Sequence, residues 1–125
     1  MKLIIAGSRD VELEEHQISK LLEILMPGIV SSITEVVSGG CKGIDQCGEK
    51  FAKICGFPIK QFLPDWSMGL SAGPVRNKKM AQYGDMLFLI HHNSKGSINM
   101  KKEMLALNKP VLEICYFEAK TKEIE

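Results

Sequence analysis

Short apolar runs alternate with amphipathic stretches five times along this chain, and no other feature restricts its fold as much. Residues 2–6 are an apolar run that stops at Gly7, the pattern of a buried strand. Residues 13–26 carry Ile18, Leu21, Leu22 and Leu25, the i, i+3, i+4, i+7 stripe of a helix, ended by Pro27-Gly28. Residues 33–37 make a second strand, halted by Ser38-Gly39-Gly40. Ile44, Cys47, Gly48, Phe51, Ala52 and Cys55 then form a helical stripe closed by Gly56. Residues 58–63 read as a third strand and residues 64–72 as irregular. The pattern predicts a helix over 74–83, with Pro74 near its first turn. Residues 86–90, the most hydrophobic run, read as a central strand. Ser97, Met100, Met104 and Leu107 mark the last helix, ended by Lys109-Pro110, and residues 111–115 the last strand.

Strand and helix in strict alternation predict an α/β three-layer sandwich, with helices on both faces of a mostly parallel five-stranded sheet. Right-handed crossovers place every strand-to-helix loop at the carboxyl edge. Ligands bind such sheets at that edge, where the strand order reverses. Residues 1–117 are expected to form the domain. Residues 118–125, mostly charged, read as a frayed tail or a short surface helix.

A chain of 125 residues, 45% of them hydrophobic, suits one ordinary globular domain. Its net charge of +1 provides no whole-protein field to draw in nucleic acid or an anionic membrane, so any anion site has to be local. No apolar run approaches the roughly 18 residues of a membrane span, and the first is too short for a secretory signal. The expected location is the cytoplasm. Cys41, Cys47, Cys55 and Cys115 contain no CxxC pair, so no metal site is implied. Reduced core cysteines are the expectation, with Cys41, in a glycine-rich loop, as the exception.

The carboxyl-edge loops carry small and basic residues. They are Gly7-Ser8-Arg9-Asp10, Ser38 to Gly43, the long stretch from Pro64 to Gly73 leading to Arg76-Asn77, and His91 to Ser97. Glycines let backbone N–H groups approach an anion closely. A helix N-terminus behind them adds free donors and a positive dipole. Serine hydroxyls and an arginine complete a phosphate cradle. Neither a Walker A loop nor the dinucleotide fingerprint is present.

GSRD after the first strand, VVSGGCKGID after the second, SAGPVRNKKM at the third helix and SKGS before the fourth together resemble the SLOG superfamily, and within it the YspA-like branch. The resemblance spans about residues 3–112. It implies a Rossmann-like fold that binds nucleotides or nucleotide-derived ligands such as ADP-ribose-like molecules. The loop chemistry and the resemblance together give Gly7, Ser8, Arg9, Ser38, Gly39, Gly40, Asp45, Trp66, Arg76, Asn77, Gly96 and Ser97 as the expected ligand-binding set. Relatives of the LOG branch hydrolyse the N-glycosidic bond of nucleoside monophosphates. Their R-K-x-x-M motif is matched at Arg76 and Met80, with Asn77 for the lysine. Their P-G-G-x-G-T-x-x-E loop is matched only at Gly96-Ser97, and its catalytic glutamate falls on Met100.

Binding chemistry is thus better preserved than catalytic chemistry. The expected function is binding of a nucleotide or ADP-ribose-like ligand, as a sensor or sequestering protein, with no cofactor and no metal. The alternative is a LOG-type phosphoribohydrolase, with no catalytic residue assigned. Such cleavage usually wants a carboxylate near the sugar, and Asp10, Asp45 and Asp65 are the candidates. Asp45 also reads as a partner of the helix dipole. Asp10 reads equally as a ribose contact or a helix cap. Trp66 reads as a base-stacking ring or a lid anchor. Of His91 and His92, adjacent on a strand, one is expected to pack inward and the other to face the loops. The paired lysines Lys78, Lys79, Lys101 and Lys102 read as solvated surface, which argues against a nucleic-acid partner. The methionine-rich helix around residues 97–108 could supply either core or a homodimer face.

Overall fold

The computed structural model describes residues 1–115. The expected tail at 118–125 and the end of the domain at 117 lie outside them. Five strands, β1 (Lys2–Gly7), β2 (Glu35–Ser38), β3 (Ile59–Gln61), β4 (Met86–His91) and β5 (Val111–Cys115), form one sheet in the order β3-β2-β1-β4-β5. Every neighbouring pair is parallel, so the sheet is wholly rather than mostly parallel. Four helices complete the fold: α1 (Glu15–Leu25), α2 (Ile44–Cys55), α3 (Ala72–Tyr83) and α4 (Lys95–Ala106). The order reverses between β1 and β4, which pair directly from Leu3↔Met86 to Gly7↔Ile90.

Strand periodicity divides the core in two. Leu3, Ile5, Val36, Met86, Phe88 and Ile90 pack with Ile18 and Leu22 of α1 and with Ile44 and Phe51 of α2. Ile4, Ala6, Val37, Leu87 and Leu89 pack on the opposite face with Met80 and Ala81 of α3 and Met100 and Met104 of α4. A strand buried on both faces has no polar positions, which is why β1 and β4 read as continuous apolar runs. Met100 and Met104 are 2% and 0% exposed. The methionine stripe of α4 is core, not a dimer face.

Some element limits differ from the expectation. β2 begins at Glu35, because Ile33 and Thr34 belong to the approach from a 3-10 turn at Ile29–Ser32. β3 is only three residues long. The irregular stretch contains a 3-10 segment, Trp66–Ser71, started by Asp65, whose carboxylate accepts from the Ser67 N–H. The Ser67 hydroxyl, and after it that N–H bond, hold the Asp65 carboxyl below its ordinary range. α4 begins at Lys95 rather than Ser97, with Ser94 as its cap. Of the cysteines, all free thiols, only Cys47 is buried; Cys55 and Cys115 are exposed. Cys55 is the last residue of α2. Cys115 ends the edge strand β5.

Candidate functional site

Gly7 ends β1 at the reversal point, and two close approaches there set the site. The Ser8 N–H donates to the Ile90 carbonyl at 3.1 Å. A Cβ on Gly7 would sit 1.9 Å from that same oxygen, so no other residue fits. Behind it, Gly43 enters α2 with φ +82°, a left-handed conformation, and a Cβ there would lie 2.3 Å from the Ser8 carbonyl. These two glycines press the loop after β1 between β4 and the start of α2.

A cavity of about 390 Å³ opens beside this loop, in the range of small-molecule sites. Its walls include Gly7, Ser8, Arg9 and Asp10 after β1, Asp45 of α2, Arg76 and Asn77 of α3, and Ser94, Gly96, Ser97 and Met100 of α4. Eight of the twelve expected binding residues thus converge: Gly7, Ser8, Arg9, Asp45, Arg76, Asn77, Gly96 and Ser97. Gly39, Gly40 and Trp66 line a neighbouring cavity instead. Ser38 lines neither. It is fully buried, and its hydroxyl donates to Glu49 Oε2 at 2.6 Å.

Asp45 is the chemical centre of the cavity. It is 5% exposed, and the Cys41 N–H donates to its Oδ2 at 3.2 Å. Burial pushes its carboxyl up to about 6, against the opposing pull of the Cys41 N–H, the Arg76 guanidinium and the Gly7 N–H. Its place in the first turn of α2 fits the dipole reading, but its side chain faces the cavity wall rather than solvent. Arg76 is anchored from three sides. It donates through Nη1 to the Gly39 carbonyl at 2.8 Å and to the Phe62 carbonyl at 3.4 Å, and through Nε to Asn77 Oδ1 at 2.9 Å. Asn77, 4% exposed, passes the link on through Nδ2 to the Gly96 carbonyl at 3.2 Å and Asn99 Oδ1 at 2.9 Å. One polar chain therefore ties the loop after β2, α3 and the first turn of α4 together.

One of the expected N–H donors of the Gly39-Gly40 loop is turned inward: the Gly40 N–H donates to Ser38 Oγ at 3.0 Å. The donors of α4 are better placed. The Ser94 hydroxyl caps the Ser97 N–H, which leaves the N–H groups of Lys95 and Gly96 among those without an intrahelical acceptor. Ser94 and Ser97 share a hydroxyl hydrogen bond of 2.8 Å. Ser97 is thus the third residue of the helix, and Ser94 opens it.

The two histidines part as expected. His91 is 1% exposed, with Nε2 2.6 Å from Glu113, whose carboxyl Lys101 and His91 together hold low. His92 lines the cavity, with Nε2 2.7 Å from Asp10. That bond holds the Asp10 carboxyl below its ordinary range. Asp10 does not cap α1. The helix is capped four residues later by Glu14, whose N–H donates to Gln17 Oε1 at 2.8 Å.

Sequence reasoning left Cys41, Met80, Ser94 and His92 out of the binding set, although all four line the cavity. A serine directly before a helical stripe is an ordinary cap signal and could have marked Ser94. Met80 was marked only by its match to the last position of the R-K-x-x-M motif. Among the described residues, no group of three or more His, Cys, Asp or Glu side chains is placed to hold a metal ion, and no helix is long and apolar enough to cross a membrane. No family model, curated protein or solved structure matches the chain.

Proposed function

We propose that this protein binds a nucleotide or nucleotide-derived ligand, such as an ADP-ribose-like molecule, with its phosphate in the cavity at the β1–β4 reversal point. The observation that carries this reading is the convergence there of Arg76, the hydroxyls of Ser8, Ser94 and Ser97, and the open N-terminus of a twelve-residue helix. Arg76 supplies a permanent charge; with Nε and Nη1 held by the Asn77, Gly39 and Phe62 oxygens, Nη2, 4.0 Å from Cys41 Sγ, is the nitrogen it offers a phosphate oxygen. The resemblance to the SLOG superfamily supports the same ligand class. A sensor or sequestering role in a cytoplasmic setting completes the reading.

Calorimetry with AMP, ADP-ribose and adenosine tests it. The phosphorylated ligands bind and adenosine binds far more weakly. Arg76→Gln removes the charge but keeps a donor for the Gly39 carbonyl. A charge-assisted hydrogen bond is worth roughly 1.5–3 kcal/mol, so this variant weakens AMP about 10- to 150-fold. Equal affinity of variant and wild type for AMP would place the phosphate elsewhere.

A second reading, N-glycosidic hydrolysis, is favoured by one observation. Two carboxyls of opposite tendency share the cavity, Asp45 raised to about 6 and Asp10 lowered. Such a split is what an acid and its anionic partner require. Met100 occupies the position where the LOG-type motif carries its glutamate, so Asp45 would be the proton donor to the leaving base. Chromatography for free adenine after incubation with AMP decides it; turnover that survives Asp45→Asn rejects the assignment.

A further inference from the structure

A second cavity, also of about 390 Å³, adjoins the first and shares Arg9 and Cys41 with it. Its other walls are Gly39, Gly40 and Lys42 on one side and Leu63, Pro64 and Trp66 on the other. Three of its features are unusual for an idle surface. Trp66 is 60% exposed and Leu63 66% exposed, so an aromatic and an aliphatic face meet solvent side by side. Neither Arg9 nor Lys42 has an acidic partner among the described residues. The Arg9 guanidinium carbon lies 6.0 Å from the Trp66 ring centroid, so the residue shared by the two cavities also edges the aromatic face.

The loop that holds Trp66 is not tethered to the core through this ring. Trp66 belongs to neither core cluster, and the turn is fixed instead by Asp65, which accepts from the Ser67 N–H at 3.1 Å and the Ser67 hydroxyl at 2.6 Å. A lid-anchoring ring would be buried; this one is presented. On the opposite wall, Gly40 has φ +74°, and Leu63 Cδ2 fills the space where a Cβ would be, 2.5 Å from its position. The glycine thus lets Leu63 close down and shape an apolar floor next to the ring.

We propose that the outer cavity is a subsite for a planar base, which stacks on Trp66 while the phosphate of the same ligand occupies the inner cavity. This rests on the nucleotide reading and adds to it: the base contributes directly to affinity, and recognition through the ring's face tolerates purines and pyrimidines alike. Arg9 stands between the two subsites, where it reaches a phosphate on one side and the ring on the other.

The chain's single tryptophan makes the test direct. The full chain is titrated with ribose 5-phosphate and with AMP, GMP, CMP and UMP, by calorimetry and by Trp66 emission. Stacking on an aromatic side chain contributes about 5- to 150-fold in affinity. The nucleotides therefore bind tighter than ribose 5-phosphate by that factor and change the emission, whereas ribose 5-phosphate leaves it nearly unaltered. Trp66→Ala brings the nucleotides down to the level of ribose 5-phosphate without changing the latter, and Trp66→Phe restores most of the difference. Circular dichroism confirms that each variant is folded. Equal binding of AMP and ribose 5-phosphate to the wild type, or unchanged AMP affinity in Trp66→Ala, overturns the base subsite and leaves the phosphate cavity standing. Failure of every one of these ligands to bind the wild type overturns both.

Discussion

Replacing Asp45 with Asn should make the protein more stable at neutral pH while barely changing it in acid. The carboxyl is 5% exposed and titrates at about 6 in the folded chain, against an ordinary value of 3.8. Below 3.8 both folded and unfolded chains hold the proton, and burial costs nothing extra. Between 3.8 and about 6 the folded chain holds the additional proton, so stability falls as pH rises. Above about 6 both states are ionised, and the folded chain carries the whole penalty of an ion removed from water. At roughly 1.4 kcal/mol per pH unit, the interval from 3.8 to about 6 amounts to about 3 kcal/mol.

Asparagine keeps the volume and an acceptor oxygen for the Cys41 N–H but cannot ionise. The difference in stability between Asp45→Asn and wild type should therefore grow from under about 1 kcal/mol at pH 4 to about 3 kcal/mol at pH 7.5. Urea unfolding followed by far-ultraviolet circular dichroism reads it directly. With a slope of roughly 1–3 kcal/mol per molar urea, the midpoint of the variant lies about 1–3 M higher at pH 7.5. The other ionisable groups are the same in both proteins, so their effects cancel in the difference. A midpoint difference that stays constant between pH 4 and 7.5 would refute the reasoning. So would a wild type that gains on the variant as pH rises. The first result would mean that Arg76 and the two N–H donors balance burial, the second that they outweigh it.

Three further outcomes are expected. Gly7→Ala forces a methyl to within 1.9 Å of the Ile90 carbonyl and must part β1 from β4; a loss of at least about 3 kcal/mol in urea unfolding is expected, and a loss below 1 kcal/mol would contradict this close approach. His92→Gln removes the ionisable partner of Asp10, so the Asp10 carboxyl should titrate at higher pH than in wild type when followed by carbon-13 NMR; an unmoved titration would show that the pair does not persist in solution. Thiol labelling of the native protein should modify Cys55 and Cys115 first and Cys47 last, with all four accessible after denaturation without reductant; rapid native labelling of Cys47 would contradict its place in the core.

The periodicities of residues 2–6, 44–55 and 86–90 were enough to determine the fold class, because a strand buried on both faces and a helix buried on one leave local apolar patterns that no neighbour can disguise. Strict alternation then placed the loops at one edge, and eight of the twelve expected binding residues came together there. Helix entry was harder to read. Ser94 and Ser97 are both plausible caps, and only the path of the chain out of β4 selects Ser94. Core or surface at the helix ends was also undecidable locally: Cys47 and Cys55 share one stripe, yet only Cys47 is buried. The chemistry of the site belongs wholly to the tertiary structure. In sequence, Asp45 is an acid in a first helical turn. Its proton affinity comes from the water excluded by β1, α2 and α3, and its partners Gly7 and Arg76 are 38 and 31 positions away. The division of the carboxyl edge into two cavities has the same origin. Arg76 holds the Gly39 and Phe62 carbonyls through Nη1, a contact between distant segments that no local pattern encodes.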